Sequence, residues 1–283
     1  MNRLLPFIGL TILLLTAACT DDGPDLTGLK MPLVVEGWIE EGMPPVVMVT
    51  HAVDLTGDSA SFDGFVEKWA RVSVYDGDTQ YLLTGRVNKA YVPSFIYTSS
   101  RLHGRVGHSY RLVVETESDT VEAVATMLPA PAISRVESVS VEGSDSLFSL
   151  RAYADGIEPD GYYKFFSTTA GLESRSYGTF LGTFAGSSYS DTEGWPITRG
   201  IYSTYDDSRD FSHFYKLGSR VTVKLSAIDR QLYDFWSVYD SNISLSQNLL
   251  FTFAANCPTN VKGGLGYWAA YGSGRITVRV GYD

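Results

Sequence analysis

Alternation constrains this chain more than any other feature. Between Val221 and Ala227 every second residue is apolar (Val221, Val223, Leu225, Ala227), and Thr222, Lys224 and Ser226 fill the gaps. A period of two gives an extended strand one apolar and one polar face. The same pattern sets Ile276, Val278 and Val280 against Arg275, Thr277 and Arg279, and Phe148, Leu150 and Ala152 against Ser149, Arg151 and Tyr153. It returns at Val72 and Val74, where Asp76-Gly77-Asp78 ends the run as a turn. Leu33 to Ile39, Val46 to Thr50, Tyr81 to Thr84, Tyr91 to Tyr97 and Tyr162 to Thr168 read as further strands, with Pro44-Pro45 separating the first two. Tyr110 to Glu115 and Val121 to Met127 form a hairpin around Ser118-Asp119. Tyr, Phe and Gly are abundant (18, 14 and 27), which suits sheets more than helices.

The period changes once. Leu232, Phe235, Trp236, Tyr239 and Ile243 follow i, i+3, i+4, i+7, i+11 spacing, and Asp229 precedes them as an N-cap. This predicts one helix near residues 229–245, its aromatic stripe read as core packing. About seven short strands before Pro129 and Pro131 predict an immunoglobulin-like or transthyretin-like sandwich, and the two prolines mark a boundary. The expected fold is mostly β, with two β-sandwich-like domains, 31–130 and 131–283, and one short helix in the second. Residues 171–200 are Gly/Ser/Thr-rich and aromatic, with weak periodicity; a strand or two and a long loop are expected there.

The N-terminus has its own logic. Arg3 precedes an apolar run from Leu4 to Leu15, and the small residues Ala17 and Ala18 precede Cys19. The run is about a dozen residues, short of the roughly 20 a membrane-spanning helix needs, so residues 1–18 read as a secretory signal. Thr16-Ala17-Ala18-Cys19 resembles the lipobox of bacterial lipoproteins, in which cleavage precedes the cysteine and its sulfur receives a diacylglycerol. Thr16 stands where that motif usually has a branched apolar residue. Ordinary cleavage after Ala18 would instead leave a soluble periplasmic protein. Residues 19–30 form an acidic tether with little to bury, and Asp21-Asp22 resembles the surface-export signal of Bacteroidota lipoproteins.

Charge and motifs exclude more than they select. A net charge of −10 disfavours nucleic acid as a partner. His51, His103, His108 and His213 show no metal-binding helix spacing, and the aspartates at 54, 58 and 63 and at 206, 207 and 210 do not fit a calcium loop. No nucleophile elbow or Cys-x-x-Cys is present. Cys257, the only cysteine besides Cys19, is expected as a small buried apolar residue without a disulfide. No cofactor, metal or catalytic set is expected. Two features remain as candidate binding surfaces. Arg86, Lys89, Arg101, Arg105 and Arg111 fall in a stretch, 79–114, that has no acidic residue and contains Tyr91, Phe95 and Tyr97. Tyr177, Phe180, Phe184, Tyr189 and Trp195 form an aromatic set in the glycine-rich stretch, suited to stacking on a sugar or filling a partner's groove.

Four landmarks carry a resemblance over nearly the whole mature chain. They are Leu33–Ile39 followed by Pro44-Pro45; Gly107-His108-Ser109-Tyr110-Arg111-Leu112; Ile228-Asp229-Arg230-Gln231-Leu232-Tyr233-Asp234-Phe235-Trp236; and Pro258-Thr259-Asn260-Val261-Lys262-Gly263-Gly264-Leu265-Gly266-Tyr267-Trp268. Together they resemble the DUF4249 (domain of unknown function) lipoproteins of Bacteroidota. The resemblance implies an outer-membrane location through a lipid on Cys19 and association with TonB-dependent receptors, and it implies no activity. The glycines of the last landmark are read as a structural turn rather than a phosphate loop, since no P-loop Lys-Ser/Thr follows. The leading expectation is a non-enzymatic, lipid-anchored outer-membrane protein that partners a TonB-dependent receptor, with Arg86, Arg101 and Arg105 as docking charges. The alternative is a cell-envelope module that captures a glycan or peptide through Tyr189 and Trp195.

Overall fold

Strand alternation becomes two stacked sheet pairs in the computed structural model, which describes residues 31–52, 62–200, 212–246 and 256–282. In chain order the strands are β1 (Leu33–Glu40), β2 (Val46–His51), β3 (Arg71–Asp76), β4 (Thr79–Leu82), β5 (Thr84–Val87), β6 (Phe95–Thr98), β7 (Ser109–Glu115) and β8 (Thr120–Thr126). Then come β9 (Ala132–Ser140), β10 (Leu147–Asp155), β11 (Tyr162–Thr169), β12 (Tyr177–Ala185), β13 (Trp195–Ile197), β14 (Tyr215–Lys216) and β15 (Arg220–Ile228). Helix α1 (Arg230–Ser246) precedes β16 (Leu265–Tyr271) and β17 (Gly274–Arg279).

The first sandwich packs a five-stranded sheet, β16-β1-β2-β6-β5, against β4-β3-β7-β8. Val35 and Ile39 of β1, Val72 and Val74 of β3, and Leu112 and Val114 of β7 meet in its core. The segment read as one strand, Tyr81–Thr84, instead changes sheets: β4 pairs β3, buried Leu83 makes the crossing, and β5 pairs β6. Likewise the strand expected from Tyr91 begins only at Phe95.

The second sandwich packs β12-β11-β15-β17 against the sheet of β13, β10 and β14, with β9 also on β10. Leu150, Phe165, Val223 and Leu225 are central to its core. Asp229 caps α1 as expected, accepting a hydrogen bond from the Leu232 amide at 2.9 Å.

The sandwiches are not independent in sequence. Strand β16 lies parallel beside β1, with Val34 facing Leu265 and Glu40 facing Tyr271. It delivers Trp268, fully buried, into the first core, where the indole N–H donates to the Tyr110 carbonyl at 2.9 Å. Gly37 makes that possible, because a Cβ there would sit 2.9 Å from the indole. Gly266, at φ +97°, would place a Cβ 1.9 Å from the Val35 carbonyl, so only glycine lets the two strands approach. The structural-turn reading of this loop is therefore met by close backbone approach. Residues on both sides of Pro129 and Pro131 belong to one compact unit, Pro32–Asp283.

Candidate functional site

Four strands turn their second face toward a cavity of about 210 Å³ rather than toward water. On β1, Val35 and Ile39 face the first core while Glu36, Trp38 and Glu40 face the cavity. On β11 and β15, Phe165 and Val223 point into the second core, and Lys164, Phe166 and Lys224 point the other way. On β16, Trp268 and Ala270 are core residues, whereas Tyr267 and Tyr271 line the cavity. Helix α1 covers the space with Trp236, Tyr239, Asp240 and Ile243, and the segment from Arg175 to Phe180 closes another side.

The cover makes the polar faces expensive, and the charges are paired accordingly. Lys164 Nζ bonds both Asp240 carboxylate oxygens at 3.0 and 2.9 Å, and Thr183 Oγ1 donates to the same carboxylate at 2.7 Å. Lys224 Nζ donates to Glu40 Oε1 at 2.8 Å, and Arg275 holds the other oxygen. Burial pulls both lysines below their ordinary pKa, with their carboxylates opposing it. For Glu40, burial pushes upward, but Lys224 and Arg275 together outweigh it and the pKa falls. Glu36 behaves differently. Burial raises its pKa, only partly offset by Arg175 and by a hydrogen bond from the Tyr267 hydroxyl at 3.2 Å.

Arg175 is held by its neighbours and by rings. Ser174 Oγ donates to the Ala90 carbonyl at 3.3 Å, and Ser176 Oγ meets Thr168 Oγ1 at 2.8 Å, fixing the chain on either side. The guanidinium carbon stands 5.1 Å from the Trp38 ring centroid, 5.2 Å from Tyr91 and 4.5 Å from Tyr177. It makes no ion pair among the described residues, and its Nε is buried with no hydrogen-bond partner. Among the described residues the site therefore combines internally neutralised charge pairs with one cation that rests on aromatic faces and makes no ion pair.

The structure disperses the basic stretch read from the sequence. Arg86 is exposed on edge strand β5, Arg101 lies in the turn after β6, and Arg105 is spent on Asp76 at 2.7 Å. His108 shares that carboxylate at 2.7 Å. Burial raises the Asp76 pKa, but these two hydrogen bonds outweigh it and bring it below the ordinary value. Tyr97 is buried, its hydroxyl donating to the Glu67 carbonyl. The aromatic set divides: Tyr177 and Phe180 line the cavity, whereas Phe184 stacks on Trp195 at 4.4 Å and on Tyr189 at 5.8 Å against the second core. The Tyr189 hydroxyl accepts from the Ala154 amide at 2.7 Å, and the Trp195 indole N–H donates to the Leu181 carbonyl at 3.3 Å.

Three further expectations change. The helix stripe is only half core: Leu232 is buried, but Trp236, Tyr239 and Ile243 also line the cavity. Cys257 is half-buried rather than buried, because only part of its surroundings covers it, with the Asn242 amide 3.9 Å from its sulfur. His103 is exposed and His108 pairs with Asp76, so they act separately. Cys19, Asp54, Asp58, Asp206, Asp207, Asp210 and Phe253–Ala255 lie outside the described residues, as does the Asp63 side chain. Among the described residues no three His, Cys, Asp or Glu side chains gather as a metal site. Sequence reasoning missed Glu36, Lys164, Arg175 and Asp240. One signal was available: Lys164 is a lone charge within Tyr162-Tyr163-Lys164-Phe165-Phe166.

Residues 23–277 match the sequence profile described as domain of unknown function DUF4249. Among curated proteins none matches the chain. Of solved structures, a two fibronectin type-III domain segment from chicken tenascin aligns at 9% identity and a TM-score of 0.20, covering 71% of this chain and 92% of that one.

Proposed function

The chain belongs to the DUF4249 family, and from that premise we propose that it is a non-enzymatic, lipid-anchored module of the cell envelope that captures a small polar ligand. The observation that supports this is the partly open cavity with Arg175 held over three rings and left without an ion pair among the described residues. A fold maintains such a costly arrangement where a ligand completes it. Glycan or peptide capture by Tyr189 and Trp195 is not favoured, since both polar tips are already bonded to backbone. The test is native mass spectrometry of the mature chain after exposure to the small-molecule extract of its own cells. Adducts are expected on the wild type and lost in Ile243→Trp, which fills the cavity from α1. No adduct on the folded wild type overturns the reading.

Partnership with a TonB-dependent receptor in the outer membrane is a second proposal. Arg86 and Arg101 are exposed and make no ion pair among the described residues of an acidic chain, so they suit an acidic docking face. Charge reversal of both is expected to reduce receptor co-purification from detergent-solubilised outer membranes, most strongly at low salt. Unchanged recovery removes these arginines from the proposal.

A further inference from the structure

Pairing off the ionisable groups around the cavity leaves two uncommitted. Lys164 is satisfied by Asp240, and Lys224 by Glu40 with Arg275. Among the described residues Arg175 has ring contacts and no hydrogen bond or ion pair; its Nε is buried and unbonded, and it meets the Glu36 charge only through space. Glu36 accepts a single hydrogen bond among the described residues, from Tyr267. We infer that the cavity takes a small zwitterion of the amino-acid class, its carboxylate on the Arg175 guanidinium and its ammonium on Glu36. The inference rests on the ligand-capture reading and names the chemistry captured.

The geometry of β1 supports the spacing. Glu36 and Trp38 share one face of the strand, about 7 Å apart by the strand repeat, and Arg175 stands over Trp38. An α-amino acid carries its ammonium and carboxylate on adjacent carbons, so a single ligand can reach both groups. Ring stacking occupies the face of a guanidinium, whereas its donors point outward in the plane. Arg175 can therefore keep its rings and still donate a fork of hydrogen bonds to a carboxylate. Charge decides between anions. A phosphate dianion would put two negative charges beside Glu36 and Glu40 with one unpaired cation available. A carboxylate matches that cation one for one, and its own ammonium answers Glu36. Size limits the rest: a cavity of about 150 Å³ admits a benzene ring, so about 210 Å³ suits one residue-sized molecule. Phe166, Phe180 and Trp236 in the walls favour an apolar or aromatic side chain.

Isothermal titration calorimetry of the mature chain tests this with L-phenylalanine, L-leucine, L-phenylalaninamide, which lacks the carboxylate, and 3-phenylpropionate, which lacks the ammonium. At least one free amino acid is expected to bind, and removing either charged group from phenylalanine should weaken its binding tenfold or more. Arg175→Gln should abolish the advantage of phenylalanine over its amide, and Glu36→Gln its advantage over 3-phenylpropionate. Arg175→Lys should recover part of the lost affinity. The wild-type ligand comparison stands even if a variant fails to fold. Equal binding of acid and amide, or full affinity in folded Arg175→Gln, overturns the inference. So does silence from the whole panel while extract adducts still form and vanish in Ile243→Trp; capture then survives with another ligand class. Absence of extract adducts would instead overturn the capture reading itself.

Discussion

Neutralising Asp240 without removing Lys164 is the sharpest single perturbation the structure offers. The lysine side chain is 1% exposed and the aspartate 8%, and two hydrogen bonds of 3.0 and 2.9 Å join them. In Asp240→Asn the ammonium keeps the Thr179 carbonyl at 3.5 Å and the new amide oxygen as acceptors and loses its counter-charge. Breaking a buried pair from one side costs about 3–5 kcal/mol, because the remaining charge stays out of water. At about 2–4 °C per kcal/mol for a domain of 150–250 residues, Tm should fall by on the order of 10 °C. Removing both partners, in Lys164→Met with Asp240→Leu, should recover most of that loss. The pH dependence carries its own sign. Burial already lowers the Lys164 pKa and Asp240 opposes it, so the variant's folded pKa drops further below the unfolded one. Between those two values the unfolded chain binds one more proton, and stability rises with pH. The deficit should therefore shrink from pH 7 to pH 9 in urea melts followed by tryptophan fluorescence. A loss under about 1 kcal/mol, or a deficit that widens with pH, would refute the reasoning.

Glu36→Gln should raise the urea midpoint at pH 7. Burial raises the Glu36 pKa above 4.5, so the folded state keeps a proton that the unfolded state releases, and stability falls as pH climbs through that window; a wild-type pH profile in the variant counts against this. Gly266→Ala combines φ +97° with a Cβ 1.9 Å from the Val35 carbonyl, and should cost more than the 1–3 kcal/mol or so of left-handed strain alone. Gly42→Ala, at φ +70° in open space, is the control, and equal losses in thermal melts would dissociate Gly266 from the β1–β16 contact. Cys19→Ala should abolish fatty-acid probe labelling and release the protein from membranes; retention after a salt wash would mean that something else holds it.

Local pattern revealed most of the strands. Thr222, Lys224 and Ser226 could be assigned to one face of β15 from alternation alone, and Asp229 to a cap from the change of period. What covers a face is a different matter. Lys224 looks like a solvent residue because alternation reports which side chains are neighbours, and says nothing of Glu40, Phe166 and Tyr271, which cover it. Arg175 sits where periodicity is weakest, and its rings come from β1, β12 and the loop before β6, a convergence without a local signature. Tyr189 and Trp195 misled in the opposite direction: aromatic composition cannot tell an exposed ring from one whose polar tip is bonded to backbone beneath a loop.

The parallel seam between β1 and β16 has a consequence for how the protein comes into being. Glu36 and Tyr267, hydrogen-bonded across it, are 231 residues apart in sequence. Contacts so remote form slowly, since a long loop must close before anything is gained. On a chain emerging from a ribosome, β1 arrives first and waits through nearly every other strand. Meanwhile one of its edges is open, the slot for Trp268 is vacant, and the walls supplied by Tyr267 and Tyr271 are missing. The walls from β16 arrive together when that strand docks, and a chain stalled before that step presents an unpaired strand edge ready to join a neighbour's.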